Sequence, residues 1–317
     1  MKVINASLQP LLVGLIVSVF AFLPVTVSYA QISELASFNN TDGAYPASGL
    51  TLDGSNLYGT TTGGGLYGDG TVFSVPLTGG TVTTLASFNG SDGSDPQGGL
   101  ILDGSTLYGT TSTGGLNDDG TVFSLPVTGG SPNILTSFNG LDGQTPKAGL
   151  IRSGSTLYGT TNEGGPSNGG TVFSLPETGG TPTTLANFSF FRGPNGTFPA
   201  GTLTLNGSTL YGTTEYGGPS GGYGTVFSLP LTGGAITTLG SFNNTNGAYP
   251  AASLTLSGST LYGTAQEGGI GGYGTVFSVP TSGGGIVALA SLNYAGGHTP
   301  LGPVNTNGIY GRGMVGA

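Results

Sequence analysis

Cysteine and tryptophan are absent from this chain of 317 residues, and histidine occurs once, as His298. Without cysteine there is no disulfide, no thiolate nucleophile and no cysteine-bound metal. Metal sites built from several histidines are excluded as well. A catalytic serine would have to rely on His298 as its base, because no other histidine is available.

Charge is also scarce. Charged residues make up 6% of the chain, and the formal net charge is −9. An acidic surface with so little lysine repels phosphate groups, so the composition argues against a nucleic-acid partner. Low charge combined with moderate hydrophobicity also argues against a disordered chain.

The N-terminus has the pattern of a secretory signal peptide. Lys2 precedes an apolar run from Leu11 to Leu23, and the small residues Ser28 and Ala30 follow. Cleavage after Ala30 leaves residues 31–317 as the mature chain, with an uncleaved N-terminal anchor as the alternative. No second apolar stretch of about 20 residues follows. We therefore expect no membrane span after cleavage and a secreted or extracytoplasmic location, at the cell surface or in the periplasm.

What the chain has in abundance is glycine, with 65 residues, and a repeated tetrad. Leu-Tyr-Gly-Thr begins at Leu57, Leu107, Leu157, Leu210 and Leu261, and a degenerate copy begins at Ile309. The successive steps are 50, 50, 53, 51 and 48 residues. A fixed period of this size predicts stacked supersecondary units rather than one irregular fold.

Each unit contains four strand-like segments. The tetrad lies between a Gly-Leu-x-Leu segment and a Gly-Thr-Val-Phe-Ser segment, and a Leu-x-x-Phe segment completes the unit. Four short antiparallel strands in about 50 residues are typical of one β-propeller blade. The sequence thus predicts an all-β fold, a single β-propeller domain over residues 31–317, with a β-solenoid as the alternative.

The two ends of the chain suggest how such a ring closes. The chain opens with a lone strand, Ile32–Phe38, and ends with the partial unit 302–312. We expect about six blades, the last of them closed by the N-terminal strand, because closure removes exposed sheet edges.

Two residue types have predicted places in the blades. The tetrad glycine is predicted to lie on the innermost strand, at the crowded propeller axis, because glycine allows close backbone approach. These glycines are Gly59, Gly109, Gly159, Gly212, Gly263 and Gly311. The phenylalanines of Gly-Thr-Val-Phe-Ser are predicted to be buried between blades, namely Phe73, Phe123, Phe173, Phe227 and Phe277.

The order of these segments resembles the GloVer-type tandem repeat, found in exported bacterial proteins that carry varied C-terminal anchors. Leu157–Gly165 followed by Gly170–Leu175 carries the resemblance most clearly. More distantly, the unit is similar to a kelch blade, although the kelch tryptophan has no counterpart here. The resemblance implies export and a repeat scaffold but transfers no catalytic residue. The tail 312–317 shows no anchor helix or sorting motif, so we expect either a released member of that family or an incomplete tail.

The candidate ligand site follows the tetrad, where the units differ from one another. The three consecutive units with the most polar side chains there contribute Asn162, Glu163, Glu215, Tyr216, Gln266 and Glu267. Carboxylates, amides and a tyrosine around one opening suit a sugar or a cation, and two suitably spaced carboxylates suit glycosidase chemistry. The alternative is that these are ordinary solvated turn residues.

A second candidate is the Phe-Asn-x-x-Asp-Gly loop, whose oxygen atoms in the second unit come from Asn89, Asp92 and Asp95. Such oxygens are calcium ligands, but each loop offers few charges, and Asx turns explain the same residues. We therefore expect no cofactor and no metal site, with calcium as the alternative.

These observations favour a non-enzymatic, monomeric binding module for a glycan or a cell-surface protein. A carbohydrate-active hydrolase or lyase that uses the rim carboxylates is the alternative, and a purely structural spacer is a third possibility.

Overall fold

The computed structural model describes residues 34–190, 193–293, 300, 302 and 304, together with two short paired strands, β1 (Val3–Ile4) and β2 (Tyr29–Ala30). Apart from these two strands, the predicted signal peptide lies outside the described residues, as do His298 and the degenerate tetrad at Ile309. The described part of the chain contains strands and turns and no helix.

Five antiparallel sheets follow one another along the chain, one for each complete repeat. The first comprises β3 (Ala44–Pro46), β4 (Thr51–Asp53), β5 (Asn56–Gly63), β6 (Thr71–Pro76) and β7 (Thr83–Ser87). The second comprises β8 (Ile101–Asp103), β9 (Thr106–Thr111), β10 (Thr121–Pro126) and β11 (Asn133–Ser137). The third comprises β12 (Ile151–Ser153), β13 (Thr156–Thr161), β14 (Asn168–Pro176) and β15 (Thr183–Ser189).

The fourth sheet comprises β16 (Thr197–Pro199), β17 (Thr204–Asn206), β18 (Thr209–Tyr216), β19 (Thr225–Pro230) and β20 (Thr237–Ser241). The fifth comprises β21 (Thr255–Ser257), β22 (Thr260–Ala265), β23 (Thr275–Pro280) and β24 (Val287–Ser291). In the first and fourth sheets the extra strand pairs with the far end of the tetrad strand. The all-β prediction is confirmed. The solenoid alternative is wrong, because each repeat forms its own antiparallel sheet.

The core lies between consecutive sheets and is built on pairs of phenylalanine rings. Phe138 at the end of the second sheet meets Phe173 of the third edge to face, with ring centroids 5.1 Å apart. Both side chains are fully buried. The same contact recurs as Phe38–Phe73, Phe88–Phe123, Phe188–Phe227 and Phe242–Phe277. The prediction that the phenylalanines of Gly-Thr-Val-Phe-Ser are buried between sheets is thereby confirmed.

The predicted place of the tetrad glycines is wrong. The tetrad strand is the second strand of each sheet, between the short Gly-Leu-x-Leu strand and the Gly-Thr-Val-Phe-Ser strand, so it is not an innermost edge. Gly159 pairs directly with Phe173 of the next strand. A Cβ atom on Gly159 would lie 2.7 Å from Phe173 Cζ and 2.9 Å from Leu150 Cδ2. The glycine is needed because the ring lies across it, not because backbones meet at an axis.

The close approach between repeats occurs instead just before the short first strands of the second and third sheets. A Cβ on Gly98 would lie 2.6 Å from the carbonyl oxygen of Ala148 in the next repeat, and one on Gly149 would lie 2.8 Å from that of Gly99. Threonine hydroxyls of the tetrads donate across the same gap, for example Thr110 to the Ala148 carbonyl at 2.9 Å. The crowded position predicted for the tetrad glycine therefore belongs to these small residues.

Residues 34–38 take the place of an outer strand facing the first sheet. The Leu35 carbonyl accepts a hydrogen bond from Gly80 N at 2.9 Å, as Leu85 accepts one from Gly130 N at 2.9 Å. Phe38 makes the ring contact that Phe88 makes one repeat later. The N-terminal segment thus contacts the first sheet in the way that each sheet contacts the next.

Truncation of one buried ring tests this account of the core. We expect Phe173→Ala to lower the free energy of unfolding by about 3–5 kcal/mol, because the cavity removes contacts with two sheets. Urea unfolding followed by circular dichroism measures the change. Leu141→Ala is the control, since Leu141 is 75% exposed. Equal stability of the two variants would contradict the proposed role of the phenylalanine pairs.

Candidate functional site

At one end of the sheets, which we call the rim, two segments of every repeat pair with each other. The two variable residues that follow the tetrad lie beside the segment that contains the proline at the start of the repeat. Gln144 and Glu163 exchange backbone hydrogen bonds of 2.9 and 3.0 Å, and Ala248 and Glu267 exchange bonds of 2.8 and 3.1 Å. Thr197 pairs with Tyr216 in the same way. The candidate residues therefore lie on ordered backbone rather than on free loops.

The residue before each of these prolines has a left-handed backbone. The φ angles lie between 55° and 59° at Tyr45, Asp95, Thr145, Phe198 and Tyr249. This region is unfavourable for residues with a bulky or branched side chain and costs about 1–3 kcal/mol. The paired rim segments hold the conformation, which directs four different kinds of side chain to the rim in the five repeats.

The two variable positions face opposite sides, because neighbouring residues of a strand alternate. At the first position Asn162 is buried, and its side-chain oxygen accepts a hydrogen bond from Lys147 Nζ at 3.0 Å. Glu215 is half-buried, and burial raises the pKa of its carboxyl group while the charge of Lys147 opposes the shift. The third residue of this set is Gln266. Asn162 and Glu215 thus form a polar cluster with Lys147.

The second positions face outward and carry Glu163, Tyr216 and Glu267. Tyr216 belongs to a row of five aromatic side chains. Its ring centroid lies 5.9 Å from that of Phe198 and 5.0 Å from that of Tyr249. The row continues from Phe198 to Phe190 at 5.7 Å and from Tyr249 to Tyr223 at 6.0 Å. We call Phe190, Phe198, Tyr216, Tyr249 and Tyr223 the aromatic row.

Four members of the aromatic row were not predicted from the sequence. Phe198 and Tyr249 stand before prolines, where other repeats have Tyr45, Asp95 and Thr145. The variation at this one position was a signal that could have identified them. Burial raises the pKa of Tyr249, and the charge of Glu267 adds to the shift. Glu267 therefore lies beside the row.

The predicted rim acids do not form one cluster. Glu215 points to the opposite side of its strand from Tyr216, and the charge that acts on it is that of Lys147. Among the described residues, no group of three or more acidic or histidine side chains is placed to hold a metal ion. Glu215 thus lies on the other side of the rim strands from the positions of Glu163 and Glu267, and ligand binding by these residues stays a prediction.

The proposed calcium residues have local hydrogen-bonding partners. The Asp92 carboxylate accepts from Asn89 N at 2.9 Å and from Asn89 Nδ2 at 3.0 Å. Asp95 Oδ2 accepts instead from Gln97 Nε2 and Ser112 Oγ, both at 2.7 Å. Burial raises the pKa of Asp92, while the backbone N–H of Asn89 lowers it. Asx-turn geometry accounts for these contacts, and calcium binding stays a prediction.

A family profile matches most of this chain and identifies its family. The profile of the Gloeobacter/Verrucomicrobia repeat matches residues 18–173 and 103–314. The chain belongs to this repeat family. No curated protein matches it. The resemblance predicted from the tetrad and its flanking segments is confirmed.

Solved structures similar to this Gloeobacter/Verrucomicrobia repeat protein are β-propeller-like. A chain of a nidogen/laminin complex is 18% identical, with a TM-score of 0.51 over 78% of this chain and 79% of that chain. A putative TolB from Agrobacterium tumefaciens is 15% identical, with a TM-score of 0.50 over 79% and 82%. The extracellular domain of BT4673 from B. thetaiotaomicron is 12% identical, with a TM-score of 0.57, and this chain matches 31% of it. At these identities the likeness concerns the fold alone.

Within the described residues, no helix is long and apolar enough to cross a membrane.

The buried carboxyl of Glu215 generates a testable pH dependence. Because its folded-state pKa is raised above 4.5, the stability associated with the protonated form is present below pH 4.5 and is lost as the pH rises through the folded pKa. Relative to wild type, we expect Glu215→Gln to become progressively more stable as the pH rises above about 4.5. Urea unfolding at several pH values measures the difference. In the chain that retains Glu215, Lys147→Met should make stability depend more strongly on pH. A stability difference between Glu215→Gln and wild type that does not vary with pH would contradict the raised pKa of Glu215.

Proposed function

We propose that the protein is an extracytoplasmic, non-enzymatic binding module whose ligand is a glycan or a surface protein. The observation that carries the proposal is the contrast between the sheets and the rim. The contacts between sheets are the same from repeat to repeat, whereas the rim residues differ and include exposed rings and carboxylates. Surfaces of this kind on a rigid scaffold are typical of binding sites.

The similar structures support this proposal. One belongs to a nidogen/laminin complex, and another is described as an extracellular domain. Together with the predicted signal peptide, they favour a binding role outside the cytoplasm for residues 31–317.

Binding by the mature chain is tested with a glycan array and a pull-down from surface proteins of the source cell. We expect a ligand in one of the two, with binding weakened about tenfold by Glu163→Gln or Glu267→Gln if either carboxylate accepts a ligand hydrogen bond. Glu177→Gln is the matched control, because Glu177 lies at the opposite end of the third sheet, beside Arg152. Failure to bind any glycan or protein would overturn the proposal.

A hydrolase or lyase is the second candidate, with the half-buried Glu215 carboxyl, whose pKa burial raises, as its general acid. Glu163 and Glu267 face the other side of their strands, which argues against a carboxylate pair. Release of reducing ends from a polysaccharide by the mature chain, abolished by Glu215→Gln, would replace the binding proposal with this one.

We also infer that the chain closes as a six-bladed ring, with the sixth blade built from both termini. Residues 300, 302 and 304 contact the fifth sheet in the way that residues 96, 98 and 100 contact the first. The Gly302 carbonyl accepts a hydrogen bond from Thr264 Oγ1 at 3.1 Å, and the Val304 carbonyl accepts one from Thr255 Oγ1. Leu50 of the first sheet is 52% exposed, whereas its equivalent Leu100 is 5% exposed. A sixth blade would cover Leu50.

The equivalent leucines test closure. If a sixth blade covers the first sheet, Leu50→Asp and Leu100→Asp should each lower the unfolding free energy by about 3 kcal/mol or more, because both bury a carboxylate. Chemical denaturation of the mature chain compares them. A tolerated Leu50→Asp beside a destabilising Leu100→Asp would show that the first sheet stays uncovered.

A further inference from the structure

The aromatic row joins two sheets at the rim. Tyr216 belongs to β18 of the fourth sheet, and its contact partner Tyr249 precedes the fifth sheet, so their 5.0 Å ring contact crosses the boundary between repeats. Tyr216 is 44% exposed, and Phe190 is 41% exposed. The row is therefore exposed at Tyr216 and Phe190 and half-buried at its other three rings.

Two of these rings lie on strained backbone that the surrounding rim segments hold in place. Phe198 and Tyr249 have φ angles of 59° and 56°, in the left-handed region that aromatic residues rarely adopt. Tyr249 N donates to Tyr223 O at 3.0 Å, which fixes one end of the row. Strain of this kind is retained where the surrounding structure imposes it, often at ligand sites.

Tyr45 occupies the same place in the first sheet and provides a comparison. Its φ is 59° and it also precedes a proline, yet it contacts no other aromatic ring among the described residues and is 79% exposed. The strained position alone does not create the row. The row exists where aromatic side chains from the fourth and fifth sheets meet.

An open pocket of about 270 Å³ lies against the row. Phe190, Phe198 and Tyr216 form its apolar wall, with Thr197 beside them. Gly217, Gly221 and Gly222 form the remaining side, so a ligand reaches backbone there without meeting side chains. The pocket is a groove on the surface rather than an enclosed apolar cavity of the kind that takes a lipid chain.

The charges near this groove limit the classes of ligand that it can bind. Among the described residues that line the groove, none is charged, and Glu267 lies beside Tyr249. The Glu267 carboxylate disfavours an anionic ligand along the row. A bound cation would call for a carboxylate in the groove itself, and the described lining contains none.

We propose that the aromatic row binds a neutral oligosaccharide, whose apolar ring faces stack on Tyr216 and Tyr249 while its hydroxyl groups hydrogen-bond to the tyrosine hydroxyls and Glu267. Ring faces supply apolar contact and the phenol groups supply polar contact, which matches the two-sided character of an uncharged sugar. This inference rests on the proposed binding function and names the ligand class of that rim.

The test uses the mature chain on a panel of neutral, acidic and amino oligosaccharides, with a decaproline peptide as an additional probe. We expect hits among neutral sugars only. For those hits, titration calorimetry compares Tyr249→Ala with Tyr45→Ala, the same change at the equivalent strained position outside the row. Tyr249→Ala should weaken binding about tenfold or more, whereas Tyr45→Ala should leave it unchanged. Tyr249→Phe keeps the ring and should retain most of the affinity.

The outcomes separate this inference from the broader function. Binding of a neutral sugar that Tyr249→Ala and Tyr45→Ala affect equally would overturn the role of the row and leave the binding function intact. Binding of only acidic sugars, amino sugars, decaproline or a surface protein would overturn the ligand class. Thermal unfolding of each variant shows whether it is folded, and Tyr216→Ala provides a second position in the row if Tyr249→Ala unfolds.

Discussion

The edge-to-face contact between phenylalanine rings of consecutive sheets is the interaction on which this structure depends. Phe138 and Phe173 illustrate it: the second ring reaches across Gly159 of its own sheet and meets the first ring of the preceding sheet. One side chain thus stabilises both the pairing within a sheet and the packing between sheets. Because every described interface uses the same pair, the relative position of neighbouring sheets is fixed in the same way along the chain.

This constraint explains why the repeats are so alike in their strands and so different at the rim. A Cβ on Gly159 would clash with Phe173, and a smaller residue at Phe173 would leave a cavity, so neither position tolerates change. The rim side chains lie beyond the buried rings and face no such requirement. Variation therefore collects there, and the left-handed residues before the prolines present it to solvent from a fixed backbone.

Much of the fold could be predicted because each repeat carries a complete local pattern. Strand-forming segments, turn glycines and a period near 50 residues define a four-stranded sheet without knowledge of long-range contacts. The place of Gly159 could not be predicted, since a strand glycine fits both close backbone approach and a ring lying across it. Only the pairing of Gly159 with Phe173 distinguishes these two explanations.

The candidate site was predicted less well, for a physical reason that concerns strand geometry. Glu215 and Tyr216 are adjacent in sequence, so both were assigned to one opening, yet side chains of neighbouring strand residues face opposite sides. Tyr216 and Tyr249 are distant in sequence, yet the packing of the fourth sheet on the fifth brings their rings together. A site that forms between repeats is thus invisible in any single repeat. Because the phenylalanine pairs hold adjacent sheets in fixed positions, a contact across that boundary is as well ordered as one within a sheet.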